Sequence, residues 1–527
     1  MITQRLLAFL IAVAAILPLL ALAILLWRRF YREDAANTAR RVAKNSAIPI
    51  AIRLVVRAMD MAFALVLYRF LSSDAVGQYD LAALLIVQYL GTFADFGLTT
   101  LLTREVSRAP DAAAQYFGTT LLLRGALTLL SLPLALAFVS AYGLTAARVP
   151  GASALTDEGV AAIFILCLTL FPAAYNNTVT AMFTAREQLE IPAAVELVSQ
   201  VISIFARVAA LVAGWGVLGL AWAAVGTTLA TTVVFAILQA RLLSTPRLRW
   251  DRRFALGLLR PAFPLMLNSL LINAAFSFDA FILRLFRDDL TVAQYRMPYR
   301  VISIALILPP LLTNAVFPLL SRYAEHDRQA LKRTYNLTLH VLLLLAFPIA
   351  VGVTVTATLL VSLIVGQQEA ATFLGQSDRA LAILIWFLPL SYLNGLTQYV
   401  LIGLNRQSWI TRSFAVMAAF NCICNLLLIP SFGIFAASVL TVLSEIVLFV
   451  MFLPVLRAED VMPPLTRLIW RPALAALVMG LVMALVYPIS PWLSIAAALP
   501  VYALLLWLLG TWGPEEQVLM RRVLGRS

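Results

Sequence analysis

The chain has 527 residues, 62% of them hydrophobic and only 12% charged, with a mean hydropathy of +0.92. Soluble domains carry about 45–50% apolar residues and about 25% charge, so the composition excludes a soluble globular protein and points to an integral membrane one. The net charge of +13 is not a nucleic-acid signature, because the basic residues lie in short clusters between apolar runs. Two histidines and three cysteines (Cys167, Cys422 and Cys424, each inside an apolar run) are too few and too scattered for a metal centre.

The first apolar run, 6–27, has the length of a membrane helix, roughly 20 residues. It ends in Trp27-Arg28-Arg29 and not in a small-residue cleavage site, which predicts a retained helix and not a signal peptide. Fourteen further runs follow at 46–70, 77–103, 116–141, 159–184, 192–213, 217–240, 262–287, 294–320, 336–364, 380–403, 410–429, 434–455, 466–487 and 491–511. Pro133, Pro172, Pro309, Pro310, Pro348 and Pro389 lie inside runs and predict kinks, which a helix bundle tolerates in a membrane. Arg and Lys concentrate in alternate connections throughout, predicting an outside N-terminus and a cytoplasmic C-terminus in a multi-pass inner (cell) membrane protein.

No connection is long enough to fold alone. The longest is basic and covers 241–261, a natural boundary between two halves. The expected organisation is an N-terminal helix and linker (1–43), a first bundle (44–240), the connector (241–261), a second bundle (262–457), and two helices with a tail (458–527). The halves resemble each other. Ser72-Ser-Asp-Ala-Val-Gly-Gln-Tyr79 is echoed by Asp288-Asp-Leu-Thr-Val-Ala-Gln-Tyr295, Leu102-Thr-Arg104 by Leu320-Ser-Arg322, and Asp60 by Asp279. Each unit has six helices, an even number, so both copies run the same way. The expected fold is therefore an all-α membrane protein of two pseudo-symmetric six-helix bundles, parallel repeats about a central cavity, with two C-terminal helices and one extra N-terminal helix.

Charges inside the runs are the main functional signal. An Arg or Asp at the bilayer centre costs roughly 2.5–3.5 kcal/mol, so such residues normally face an internal cavity. Arg53, Arg57 and Asp60 share one helical face at i, i+4, i+7, and Arg124, Arg207, Asp279, Arg284, Arg296 and Arg300 lie within or at the mouths of other runs. The cationic excess predicts a pathway for an anionic substrate. Structural ion pairing, or snorkelling of Arg53, Arg284 and Arg296 to headgroups, is the competing reading. Asp95 and Glu445 are candidates for either ion pairing or proton carriage. Asn176, Asn177, Asn394, Gln398, Asn421 and Asn425 read first as inter-helix hydrogen-bonding residues and second as sugar contacts. No Asp-X-Asp loop, nucleophile–His pairing or Gly-rich phosphate loop is present, so an enzyme is not expected and no catalytic residue is assigned.

Tyr68-Arg-Phe-Leu-Ser-Ser-Asp-Ala-Val-Gly-Gln-Tyr79, Asp95-Phe-Gly-Leu-Thr-Thr-Leu-Leu-Thr-Arg-Glu105 and the second copy of the motif resemble the multidrug/oligosaccharidyl-lipid/polysaccharide (MOP) exporter superfamily, and within it the O-antigen and exopolysaccharide repeat-unit flippases. The resemblance covers 44–511; the N-terminal helix departs from the family's fourteen-helix pattern. It implies a two-lobed transporter that flips a polyprenyl-pyrophosphate-linked oligosaccharide by alternating access, for polysaccharide or lipopolysaccharide biosynthesis. On that basis Arg53, Arg57, Arg124, Arg207, Asp279 and Arg300 are candidate substrate contacts. Asp60, Asp95 and Glu445 are coupling or ion-pair candidates, with H+ or Na+ coupling open and no bound cofactor or metal expected. Implied partners are the lipid-linked glycan, membrane lipids, and a polysaccharide polymerase or glycosyltransferases, with no nucleic acid. A lipid II flippase is the near alternative, and a cation-coupled multidrug exporter a more distant one.

Overall fold

The computed structural model describes residues 38–146, 155–243, 248 and 250–510. The expected N-terminal helix at 6–27 and the C-terminal tail lie outside them. Among the described residues there are helices and no strands. The chain divides into two compact units, Met1–Arg296 and Met297–Ser527.

Unit 1 opens with α1 (Thr38–Phe70) and α2 (Ser73–Ala83), the latter continuing through a π-turn (Leu84–Leu90) into α3 (Gly91–Asp95) and α4 (Leu98–Arg108). A short 3-10 turn at Pro110–Ala112 leads into α5 (Ala113–Ala146), followed by α6 (Asp157–Cys167), α7 (Leu170–Ala185), α8 (Glu190–Val212), α9 (Gly216–Leu242) and α10 (Arg252–Phe286). Next, α11 (Asp289–Ala305) begins in unit 1 and ends in unit 2. Unit 2 then contains α12 (Leu308–His326), α13 (Arg328–Val365), α14 (Gln367–Phe373), α15 (Ser377–Leu384), α16 (Phe387–Gly403), α17 (Gln407–Phe432), α18 (Ile434–Ala458), α19 (Leu465–Val486) and α20 (Pro491–Leu508).

Among the described residues, 12 helical runs are long and apolar enough to cross a membrane. Two expected spans, 46–70 and 294–320, are not among them. Helix α1 has the length, but Arg53, Arg57 and Asp60 interrupt its apolar stretch. The span expected at 294–320 is split between α11 and α12. Each of the fourteen expected spans from residue 46 onward therefore has a helical counterpart.

Proline chemistry explains three breaks within spans. Proline lacks an N–H, and its ring collides with the carbonyl four residues earlier, so a helix is interrupted one turn upstream. Counting back four from Pro172 gives Leu168, between α6 and α7; from Pro309 or Pro310 it gives Ala305 or Leu306, between α11 and α12; from Pro389 it gives Ile385, between α15 and α16. By contrast, Pro133 and Pro348 sit inside the continuous helices α5 and α13. A fourth break, between α3 and α4, has another cause. Phe96 and Gly97 are left-handed, with φ of 52° and 72°. A Cβ at Gly97 would lie 2.6 Å from the Leu265 Cβ and 2.8 Å from the Ala262 carbonyl, so glycine allows α10 to pack directly onto this corner.

Packing follows the helical period. In α13, Tyr335, Leu339, Leu342, Ala346 and Ala350 are all fully buried at steps of three or four residues, forming one stripe. That helix packs on α16 and α19, while α17 pairs with α18. In unit 1, α8 packs against α1 and α9, and α10 packs against α3, α4 and α5. Leu427, Leu499 and Trp507 remain about 70% exposed, as suits side chains that meet acyl tails in place of water.

Candidate functional site

Three clusters of charged residues are built into unit 1. The first joins α1 to α8. Asp60 accepts a hydrogen bond from the Gln200 amide at 2.6 Å and lies 3.9 Å from both the Arg57 and Arg207 guanidinium groups. Arg207 also lies over the Phe63 ring, 4.2 Å from its centroid. The structure thus brings Arg207 of α8 to the Arg57–Asp60 pair of α1, far from it in sequence. Arg53 and Arg57 occur on the exposed face of α1; the Arg57 side chain is 54% accessible, and Arg53 has no ion-pair partner among the described residues. Charges exposed within a spanning helix require water or a polar ligand in front of them, since lipid would not solvate them.

The second cluster is centred on Arg124 of α5, which is fully buried. Its guanidinium pairs with Asp95 of α3 and donates to Thr99 of α4 and, at 2.6 Å, to Thr178 of α7. Thr99 in turn donates to Asp95. One side chain therefore ties α3, α4 and α7 to α5, and two residues taken separately in the sequence form a single ion pair.

The third cluster occupies the junction of α2, α6 and α11. Arg284, also fully buried, forms a bidentate pair with Asp289. Asp289 accepts a hydrogen bond from the Gln78 amide at 3.2 Å, and the Gln78 carbonyl accepts one from Thr156 at 2.8 Å. Thr156 also caps α6. The Arg284 guanidinium lies 5.7 Å from the Tyr142 ring centroid. Backbones meet here as well: a Cβ on Gly77 would fall 1.9 Å from the Asp289 carbonyl oxygen. The two copies of the sequence motif, at 72–79 and 288–295, are thus in direct contact. Arg284 is held inside this cluster and does not reach out to headgroups. The neighbouring Asp288 caps α11 by accepting from the Thr291 N–H at 2.9 Å and from its hydroxyl. Burial pushes its carboxyl up, but the Thr291 hydrogen bonds and the Arg284 cation outweigh burial and hold it below the ordinary value.

Asp279 is 1% exposed and accepts hydrogen bonds from the Tyr295 hydroxyl and the Ala280 N–H, which places it within the packing of α10 against α11. In unit 2, Arg300 is half-buried on α11. Glu445 of α18 is 1% exposed and accepts from the Asn394 amide at 2.6 Å. Asn421 donates to Ser444, and Asn425 donates to Asn421, so these asparagines hydrogen-bond α17 to α18 and along α17. Asn176 likewise contacts Thr228 and Thr232 of α9. No group of three or more potential metal ligands occurs among the described residues.

This fold is that of a multi-pass helical membrane protein. A family model described as "Polysaccharide biosynthesis protein" matches residues 42–324, more than half of the chain, and the chain belongs to that family. A second model, MatE, matches residues 264–430. No curated protein matches the chain. Among solved structures, the chain is similar to a lipid II flippase MurJ in an inward closed conformation, with a TM-score of 0.69 at 12% identity over 88% of this chain and 97% of that one. It is also similar to an inward-facing multidrug-resistance MATE transporter (TM-score 0.60, 16% identity, 77% and 98% covered). A third similar structure is a MOP superfamily transporter from Pyrococcus furiosus (TM-score 0.57, 15% identity, 80% and 96% covered). At these identities the likeness establishes a MOP fold, and the neighbours are transporters and flippases, not enzymes.

Proposed function

We propose that the protein flips a polyprenyl-pyrophosphate-linked oligosaccharide from the inner to the outer leaflet of the cell membrane, by alternating access between bundles at 44–240 and 262–457. The observation that carries this reading is the exposed cationic face of α1. There Arg53 and Arg57 stand accessible on a helix of membrane-spanning length, with Arg207 and Asp60 beside them. Guanidinium forks match pyrophosphate oxygens bidentately, and Asp60 holds the cluster in place while Gln200 satisfies its carboxylate. A cation exporter would require the opposite sign on this face. An outside-positive potential favours outward movement of the headgroup by about 2.3 kcal/mol per charge per 100 mV, so this chemistry requires no obligatory counter-ion. Asp95 is committed to Arg124, which leaves Glu445 as the stronger coupling candidate for H+. A polymerase or glycosyltransferase acting on the same glycan is the partner class this reading implies.

Lipid II flipping is the second reading, favoured by the MurJ likeness. Native mass spectrometry of the purified protein separates the two by the mass of the co-purified glycan. In the Arg53→Ala/Arg57→Ala variant, loss of charge-assisted hydrogen bonds of about 1.5–3 kcal/mol each predicts at least a tenfold loss of bound lipid. Full retention would remove α1 as the headgroup site, and a bound organic cation with no lipid would move the protein to drug export.

A further inference from the structure

We propose that the cavity beside Asp95 is a charge-neutral subsite for one sugar ring of the transported glycan; the proposal rests on the flippase reading and adds a second contact zone to it. The cavity has a volume of about 450 Å³ and lies wholly within unit 1, walled by the π-turn, α3, α4, α7 and α10. That volume falls in the range of roughly 300–1,000 Å³ typical of small-molecule sites.

Its chemistry suits a polyol better than an ion. Asp95 reaches the cavity, but its Oδ1 is already occupied by Thr99 and Arg124, and Arg124 sits fully buried behind it. The wall therefore carries no net charge from this pair, and the buried guanidinium repels a metal cation. The second carboxylate oxygen, Oδ2, accepts no hydrogen bond among the described residues. Two further polar groups open into the same space. The Asn177 amide and the Ser269 hydroxyl are exposed, line the cavity, and have no hydrogen-bond partner among the described residues. An acceptor, a hydroxyl, and an amide that both donates and accepts form a set that matches the hydroxyls and acetamido group of a sugar. All three lie within spanning helices, where an unmet polar group costs several kcal/mol against lipid, so water or ligand must satisfy them.

The apolar wall fits the same guest. Val87 and Leu170 also line the cavity and offer an apolar surface to the C–H face of a ring. Val87 is 65% exposed because it sits in the π-turn, whose extra residue per turn displaces the side chain from the packing register. Asn273 of α10 holds that turn open by donating to the Gln88 carbonyl at 2.9 Å and to the Thr92 hydroxyl at 3.0 Å.

The test titrates the full-length protein, by native mass spectrometry, with two probes: undecaprenyl pyrophosphate, and the same lipid bearing N-acetylglucosamine. The variant is Asn177→Leu/Ser269→Ala, which preserves approximate volume and removes two of the three open polar groups. Wild type is expected to bind the sugar-bearing lipid at least tenfold more tightly than the bare lipid. The variant is expected to bind both alike, with bare-lipid affinity unchanged. Equal binding of both probes by wild type, a sugar preference that survives in the variant, or loss of both probes together in the variant each overturns the subsite while leaving the flippase reading intact. Failure of wild type to bind either lipid overturns both.

Discussion

Replacing Gly77 by alanine should force apart the two copies of the repeated motif. The added Cβ would lie 1.9 Å from the Asp289 carbonyl oxygen and 2.7 Å from its carbon, both backbone atoms that no rotamer change can move. Ordinary contact begins near 3.4 Å, so the segments must separate by 3.4 − 1.9, about 1.5 Å. The Gln78–Asp289 hydrogen bond is already 3.2 Å long and cannot survive that displacement. Overpacking costs about 1–3 kcal/mol, and a lost hydrogen bond to a charged acceptor about 1.5–3 kcal/mol. A combined bias of about 2.5–6 kcal/mol toward the separated arrangement raises its population by roughly seventyfold or more. The assay is thiol labelling of Ser73→Cys, a position 6% exposed at this end of α2, in protein whose Cys167, Cys422 and Cys424 have been replaced. Gly125→Ala is the control, because a Cβ there meets nothing within 4 Å. Equal labelling rates with and without Gly77→Ala would refute the claim that this contact closes the junction.

Arg124→Ala should destabilise unit 1 by about 3–5 kcal/mol, since it leaves Asp95 without its cation. Arg124→Lys should recover little of this, because one ammonium cannot reproduce a fork reaching Asp95, Thr99 and Thr178; thermal unfolding in detergent measures both. Glu445→Gln should keep its hydrogen bond with Asn394 and leave the melting temperature within a few degrees, yet abolish pH dependence of lipid flipping in proteoliposomes. An unchanged pH profile would eliminate Glu445 as the proton carrier. Asp288→Ala should cost about 0.5–2 kcal/mol through loss of the α11 cap. Because the folded carboxyl is held below its unfolded value of about 3.9, the wild-type contribution is present above that pH and is lost as pH falls through the lower, folded value. Unfolding midpoints of the two proteins should therefore converge in strong acid.

The spans were legible because twenty-residue apolar runs report directly on the solvent, and twelve of the fourteen expected from residue 46 onward coincide with helical runs long and apolar enough to cross a membrane. Spacing within one helix was legible too: Arg57 and Asp60 share a face because the helical period puts them there. Relations between helices were not. Nothing local in the sequence tells Asp95 that its partner is Arg124, or Gln78 that it meets Asp289 across 211 positions. The repeated motif did contain a usable hint, since 72–79 does meet 288–295. The π-turn left no signal in composition, because Leu84–Leu90 reads as ordinary membrane helix. It depends on the tertiary bonds of Asn273 to the Gln88 carbonyl and the Thr92 hydroxyl.

The proline-linked breaks have a mechanical consequence. A continuous membrane helix resists bending because each degree of curvature stretches several backbone hydrogen bonds at once. At Leu168, at Ala305–Leu306 and at Ile385 the ladder is already interrupted, so curvature there strains fewer such bonds. Stiffness along these three spans is therefore uneven: rigid rods meet at soft joints whose positions are set by covalent chemistry and not by contacts. Any bending of these spans should concentrate its angular change at those joints, and the rods between them should move as intact bodies.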